Sequence, residues 1–191
     1  MSRQIRALHD RFRVDHGAHV RLADVDPADT AGLKSRQQAE RLLARGVERL
    51  EELQERLFAQ DEWALLLVFQ AMDAAGKDGT IKHVMSGVNP QGVRVTSFKA
   101  PSPGELEHDF LWRCQQALPK RGEIGIFNRS HYEEVLVVRV HPENLDRQRL
   151  PAEAKRKGIW ERRYREINDW ERYLTDNGFT VVKLFLNLSK E

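Results

Sequence analysis

The most constraining feature of the sequence is an apolar run that ends in a turn of small residues. Leu65 to Phe69 are consecutive large apolar residues, and the segment 70–80 that follows reads QAMDAAGKDGT. A continuous apolar run of this length is typical of a strand buried on both faces, as in a parallel sheet. Small residues directly after such a strand indicate a turn into a helix. We therefore predict a strand over 63–70 and a short helix over 79–86.

The turn itself has the composition of a phosphate-binding loop. At a strand-to-helix turn, backbone N–H groups and the positive end of the helix converge on one spot, and small residues let an anion approach. Lys77 would add a mobile ammonium group that bridges phosphate oxygens. A purely structural role stays open, because any such turn favours small residues. The residues predicted to contact phosphate here are Ala74, Ala75, Gly76, Lys77, Asp78, Gly79 and Thr80.

The loop departs from the Walker A pattern at two positions. Gly-x-x-x-x-Gly-Lys-[Ser/Thr] requires a glycine at 71 and a hydroxyl at 78, whereas this chain has Ala71 and Asp78. The hydroxyl that usually binds magnesium is therefore missing after Lys77. Asp73, inside the loop, would be repelled by phosphate unless a cation lay between them. We predict that Asp73 binds Mg²⁺ directly or through water; the alternative is an Asp that caps the turn.

The rest of the chain alternates between strand and helix patterns. Residues 1–30 have weak periodicity and are predicted to be an irregular arm, with a helix-start signal at Asp26-Pro27-Ala28-Asp29. Further predicted strands span 93–98, 123–128 and 179–186. Further predicted helices span 35–59, 105–117, 128–140 and 153–177. This alternation predicts parallel βαβ units and the α/β class, with a mostly parallel central sheet.

The third predicted strand ends in residues that suit the second half of a phosphate and metal site. In folds with such a loop, the neighbouring strand ends in an acid that holds the metal. Here Asn128, a neutral ligand, takes that position, and Arg129 next to it can neutralise a transferring phosphoryl group. Glu133, one helical turn later, could restore the missing negative charge. Its alternative role is an acid that favours the helix dipole.

Composition restricts the protein class. Of 191 residues, 40% are hydrophobic and 31% charged, and no run reaches the roughly 18 apolar residues of a membrane span. Cys114 is the only cysteine, so we expect a reducing, cytoplasmic setting without a disulfide or a zinc cluster. Positions 155–172 contain seven Lys or Arg. They are predicted to form either a solvated face or a polyanion-binding surface.

The chain resembles the polyphosphate kinase 2 family in three segments, 72–81, 97–101 and 127–133, which occur in the same order as in the family. The wider resemblance runs from Asp26 to the end of the sequence. The resemblance implies a thymidylate-kinase-like P-loop fold of three α/β/α layers and Mg²⁺-dependent phosphoryl transfer between inorganic polyphosphate and a nucleotide. The acid and lysine of the family's loop fall on Asp73 and Lys77. Asn128, where many members have Asp, resembles the subgroup that accepts AMP as well as ADP. Asn128 and Glu133 would then share the metal-side role.

The same resemblance implies an assembly and a chain organisation. It suggests a homo-oligomer, with 35–59 as one possible contact. We expect an N-terminal arm over 1–30 and one kinase-like domain over 31–191, cut before the lid and last helices that follow the fourth strand in the family.

The leading hypothesis is a polyphosphate-dependent nucleotide kinase with AMP or ADP as acceptor and ATP as a product. Lys77 and Arg129 would stabilise the transferring group, while Asp73, Asn128 and Glu133 hold the metal. Weaker candidates for phosphate contacts are Lys82, Arg113, Lys120 and Arg121. An ATP-dependent nucleotide kinase is one alternative. A non-catalytic polyanion- or nucleic-acid-binding module is another, and the acids of the basic helix argue against it: Glu161, Glu166, Asp169 and Glu171.

Overall fold

A computed structural model describes residues 3–15, 18–72 and 76–188. Its strands are β1 (Ala64–Ala71), β2 (Val93–Ser97), β3 (Ile124–Asn128) and β4 (Phe179–Leu186). Its α-helices are α1 (Arg3–Phe12), α2 (Arg36–Gln60), α3 (Lys77–Val84), α4 (Trp112–Gln116), α5 (Val137–Val140), α6 (Glu143–Asp146) and α7 (Ile159–Asp176). Each predicted strand agrees with an observed strand to within one residue at either end.

The four strands form one sheet in the order β2-β3-β1-β4. β3 pairs in parallel with both β1 and β2, so Ile124 lies opposite Leu65 on one side and Val93 on the other. All five residues of β3 are buried, as expected for a central strand covered on both faces. The predicted α/β class with a parallel sheet is confirmed.

The main apolar core lies against this sheet. Phe127 of β3 is fully buried and meets the Phe98 ring edge-on, with ring centroids 4.9 Å apart. Burying a side chain of this size contributes about 1.5–3 kcal/mol relative to exposure. The other buried members of this core come from β1, α4 and α7: Leu66, Val68, Cys114, Ala117 and Leu174.

Two predicted helices are interrupted by local hydrogen bonding or by glycine. The prediction over 105–117 fails in its middle, because the Asp109 carboxylate accepts a hydrogen bond from the Leu111 N–H at 2.9 Å and forms its own turn. Only a 3₁₀ turn at Glu105–Glu107 and then α4 result. The prediction over 153–177 fails at 156–158: the 3₁₀ turn Ala152–Lys155 ends at an extended Arg156, and Gly158, with a φ of +87°, precedes α7.

The predicted helix over 128–140 is also wrong. Arg129 has a φ of +63°, which no α-helix accommodates. The chain instead forms a 3₁₀ helix at His131–Glu134, followed by the single turn of α5. Because of this break, Arg129 and Glu133 lie outside any α-helix.

The N-terminal prediction needs two corrections. Residues 3–12 form helix α1 rather than an irregular arm; Ile5, Leu8 and Phe12 follow the spacing of one helical face. The helix-start signal at Asp26 gives turns instead, because this carboxylate accepts from the Ala28 N–H at 2.9 Å. Helix α2 starts only at Arg36.

The chain divides into two compact units, one formed by 1–53, 71–88 and 186–191 and the other by 54–70 and 89–185, insofar as these are described. In the first unit, Arg11 Nε donates to Asp29 at 2.6 Å, which ties α1 to the segment before α2. The second unit contains the sheet and the core. Within the described residues, every helix is too short or too polar to span a bilayer.

Candidate active site

Asn128 ends β3 and lies side by side with residues of both neighbouring strands. The parallel register places Ser97 of β2 and Phe69 of β1 opposite it. The side-chain Nδ2 of Asn128 donates to Ser97 Oγ at 3.4 Å, and the backbone carbonyl of Asn128 accepts from the Phe98 N–H at 3.1 Å. These contacts hold the side chain at the carboxyl edge of the sheet, where it is 8% exposed.

Arg129 turns the chain sharply away from the sheet. Its left-handed backbone, with φ of +63°, costs a non-glycine residue about 1–2 kcal/mol. The Arg129 N–H donates to the Phe69 carbonyl at 3.1 Å, so β1 holds this conformation in place. Strained residues that the surrounding structure holds in place are concentrated at functional sites. The guanidinium is half-exposed, and its Nη1 lies 3.8 Å from Glu133 Oε2.

Ser130 fixes the start of the short helix that carries Glu133. Its buried hydroxyl oxygen accepts from the Tyr132 N–H at 3.1 Å and from Gln70 Nε2 at 3.2 Å. The Glu133 N–H donates to the Ser130 carbonyl at 3.1 Å, which closes the first turn. The predicted pair Arg129 and Glu133 is therefore brought together within one turn of chain.

A cleft of about 290 Å³ opens beside these two residues. One part of its wall is apolar and aromatic, including Phe98, Leu106 and Phe110, while Lys99, Arg113 and Arg147 supply positive charge. Such a combination of apolar wall and a few charged groups is typical of small-molecule sites. The predicted residue Arg113 lines the cleft, and its guanidinium also donates to the Lys99 carbonyl at 2.7 Å.

A buried ion pair forms part of the support of the cleft, and its acid Glu134 also lines the cleft. Arg163 of α7 donates to Glu134 at 3.1 Å, and both side chains are 7% exposed. Gln148 bonds to both partners, and Arg163 Nη1 also donates to Glu166 at 2.9 Å. These partners are separated by 14 to 29 positions along the chain. No local pattern identified them in advance.

A second cluster surrounds the carboxylate of Glu171 on α7, with His131 and Tyr132 as donors from the interior and the half-exposed Lys183 as the third donor. Burial alone would raise the pKa of Glu171, but the three hydrogen bonds and the charge of Lys183 outweigh it and lower the pKa to about 2. Burial lowers the pKa of His131 despite the neighbouring carboxylate. The ring is therefore neutral near pH 7.

The predicted phosphate loop is described only in part. Asp73, Ala74 and Ala75 lie outside the described residues. Gly76 has a φ of +72° and leads directly into α3, which starts two residues before the predicted helix. The first turn of α3 contains Lys77, Asp78, Gly79 and Thr80, followed by the exposed Lys82.

Lys77 is the residue of this loop with the most informative contact. Its Nζ donates to the Ala71 carbonyl at 3.4 Å, and its side chain is half-buried. The ammonium thus folds back toward the end of β1 rather than extending into solvent. Its phosphate-binding role stays a prediction.

Lys120 and Arg121 are not brought to the carboxyl edge of the sheet. They precede β3, so they lie at the amino end of a parallel strand, opposite Asn128. The Arg121 guanidinium donates to the Asn177 carbonyl and lies 4.8 Å over the Phe179 ring. These contacts give Arg121 a structural role in joining β3 to the start of β4.

The donor atoms near Arg129 suit a hard divalent cation. Asn128 and Glu133 offer amide and carboxylate oxygens, the ligands that Mg²⁺ prefers alongside phosphate oxygens and water. The described residues contain no group of three or more His, Cys, Asp or Glu that could hold a metal ion by itself. A magnesium site here therefore needs substrate oxygens or a further ligand, and Asp73 is the predicted one.

The parallel sheet, the Gly-Lys turn after β1 and the charged cleft after β3 define the class: an α/β protein with the fold of P-loop kinases. The family model described as Polyphosphate kinase 2 (PPK2) matches residues 33–191, and the chain belongs to this family. Kinases of this family typically use a divalent metal. The resemblance and the P-loop kinase fold predicted from the sequence are both confirmed.

Individual relatives agree with this assignment. The chain is 52% identical over 182 residues to the ADP-polyphosphate phosphotransferase of Rhodopseudomonas palustris and 48% identical over 182 residues to the AMP/ADP-polyphosphate phosphotransferase of Meiothermus ruber. Each match covers 95% of this chain, which spans 63% and 64% of those proteins. The crystal structure of polyphosphate kinase 2 from Arthrobacter aurescens TC1 is similar with a TM-score of 0.82 and 45% identity, over 95% of this chain and 61% of that one.

Proposed function

We propose that this protein transfers a phosphoryl group between inorganic polyphosphate and ADP or AMP. The observation that carries the proposal is the identity of about half the residues, over 95% of the chain, to two proteins named as polyphosphate phosphotransferases for these nucleotides. The cleft beside Arg129 and Glu133 supports it, because phosphoryl transfer depends on positioning and charge neutralisation rather than on covalent chemistry by the protein.

Lys77 and Arg129 are the proposed stabilisers of the transferring phosphoryl group. Each follows the carboxyl end of a strand, β1 for Lys77 and β3 for Arg129, which is the edge where α/β proteins bind ligands. The planar guanidinium of Arg129 can contact two equatorial oxygens at once. Lys77, as a mobile point charge, suits bridging oxygens of neighbouring phosphates.

Asp73, Asn128 and Glu133 are the proposed ligands of Mg²⁺. When bound, the ion would neutralise negative charge on the phosphate oxygens and hold them in line for transfer. Glu133 would supply the full negative charge that the neutral Asn128 lacks. Because Asn128 Nδ2 donates to Ser97 Oγ, the nitrogen of this side-chain amide faces β2.

The cleft is the proposed site for the nucleotide acceptor. Its apolar and aromatic part suits a base, and its lysine and arginine side chains suit phosphates. Arg113 and Lys82 stay candidates for further phosphate contacts, whereas we leave out Lys120 and Arg121 because they lie at the amino end of β3.

We also propose a cytoplasmic homo-oligomer. A solution mass above the 22.2 kDa of one chain would support the assembly, and a mass of one chain would contradict it.

The proposal is tested by offering Mg²⁺ and AMP or ADP with either polyphosphate or ATP as the donor. We expect ADP and ATP to form with polyphosphate alone. Turnover only with ATP would instead support an ATP-dependent nucleotide kinase. Binding of polyphosphate without any transfer would support a polyanion-binding module.

The Lys77→Ala variant tests whether this loop takes part. We expect a loss of kcat of about 10²-fold or more, since removing one preorganised charge from a transition state typically costs this much. The matched control is Lys34→Ala, an exposed lysine of the segment before α2. Equal turnover of the two variants would contradict the proposed role of Lys77.

A further inference from the structure

The short helix His131–Glu134 directs its side chains in two ways. His131, Tyr132 and Glu134 bond to residues of α7, β4 or the segment after α6, whereas the Glu133 carboxylate lies 3.8 Å from the Arg129 guanidinium at the cleft. Glu133 is thus flanked in this helix by three residues whose side chains are held by hydrogen bonds. The orientation of Glu133 depends on how firmly the other three are held.

Glu171 is the centre of the anchoring on the α7 side. Its Oε1 accepts from Tyr132 Oη at 2.8 Å and from His131 Nε2 at 3.2 Å. Its Oε2 accepts from Lys183 Nζ at 2.7 Å. Because an ionised carboxylate only accepts, the proton of the neutral His131 ring must be on Nε2. Lys183 also donates to Tyr132 Oη at 3.2 Å, which closes a ring of hydrogen bonds.

Burial strengthens the hydrogen bonds that His131 and Tyr132 donate to Glu171. The His131 side chain is fully buried and that of Glu171 is 12% exposed. Hydrogen bonds to a charged group are strong in such surroundings, and leaving one of these partners unsatisfied would be costly. Glu171 itself does not line the cleft, whereas its partner His131 does.

We propose that Glu171 is a positioning residue for Glu133 and Arg129, acting through His131 and Tyr132. This inference rests on the proposed function in one respect only, because its main effect is measured as the rate of the proposed phosphoryl transfer. Glu171 does not touch the reacting groups. It holds the helix His131–Glu134 so that the Glu133 carboxylate stays beside the Arg129 guanidinium and ready for a metal ion.

The experiment compares Glu171→Gln and Tyr132→Phe with the wild type and with Glu161→Gln, an exposed acid on the same helix. Glu171→Gln keeps the size of the side chain but places an amide where carboxylate oxygens accept. Tyr132→Phe removes only a hydroxyl, so it tests the proposal even if the first variant does not fold. For each, kcat, both KM values and the Mg²⁺ concentration at half-maximal rate are measured with polyphosphate and ADP, together with the melting temperature.

We expect Glu171→Gln to lower kcat and raise the half-saturating Mg²⁺ concentration by about tenfold, the usual effect of removing a partner that orients a metal ligand. The KM values should change less than about twofold, because uniform substrate binding is not affected. A lower melting temperature with unchanged kcat and unchanged Mg²⁺ dependence would overturn the proposal, since Glu171 would then only stabilise the fold.

Amide hydrogen exchange tests the positioning role of Glu171 independently of the proposed function. If the wild type transfers no phosphoryl group, the proposed function fails, but exchange over 129–136 still reports how the segment is held. Faster exchange there in Glu171→Gln, and not in Glu161→Gln, would support positioning by Glu171. Identical exchange in all variants would overturn it.

Discussion

At the scale of single residues, Arg129 combines a charged side chain with a left-handed backbone, and these two properties can be separated. Arg129→Ala and Arg129→Gly both remove the guanidinium, so we expect both to lower kcat by about 10²-fold or more. Only glycine adopts a φ of +63° without steric cost. Arg129→Gly should therefore unfold in urea with a free energy about 1 kcal/mol higher than Arg129→Ala. Equal stabilities would show that the strain is absent.

The carboxylate of Glu171 gives a prediction about acid stability. Its pKa is lowered to about 2 from an ordinary value of 4.5, so the folded state binds this proton less readily than the unfolded state. The stabilisation is fully present above pH 4.5 and is lost as the pH falls toward 2. In urea unfolding between pH 4.5 and 3, the wild type should lose more free energy of unfolding than Glu171→Gln. Parallel losses would contradict the lowered pKa.

At the scale of structural elements, β3 has no room for a larger residue at its second position. A Cβ on Gly125 would lie 2.7 Å from Pro119 Cδ and 2.8 Å from Pro119 Cγ, and a proline ring cannot rotate away. We expect Gly125→Ala to lower the free energy of unfolding by about 1–3 kcal/mol, as is usual for overpacking. Gly104→Ala is the control, because no atom of the described residues lies within 4 Å of its added Cβ. A Gly125→Ala protein as stable as this control would refute the close packing.

The elements also show what could be predicted from the sequence. Strands such as β1 and β4 were predictable to within one residue, because continuous apolar or β-rich runs between turn residues dominate their local preference. Helix lengths were not. Asp109, Arg129 and Gly158 interrupt predicted helices through a side-chain hydrogen bond or a left-handed backbone. At Arg129 a contact from another strand fixes that conformation, so no local pattern reveals it.

At the scale of the whole molecule, parallel topology explains which candidate residues come together. Asn128 ends β3 at the carboxyl edge of the sheet, and Arg129 and Glu133, which follow it, line the cleft. Lys120 and Arg121 match a phosphate site only by their charge, and they lie at the other end of β3. Glu134, Arg163 and Glu171 were not assigned a place in the site, because their contacts join positions 29 to 40 residues apart. The roles of all site residues stay predictions.

Phosphoryl transfer from polyphosphate is followed by a phosphorus NMR time course of this 191-residue chain with polyphosphate, AMP and Mg²⁺, in the absence of ATP. Polyphosphate is then the only source of a transferable phosphoryl group. We expect ADP resonances to appear, followed by those of ATP, while the polyphosphate signal falls, and we expect Lys77→Ala to slow both changes. An unchanged spectrum for the wild type would contradict the proposed transfer.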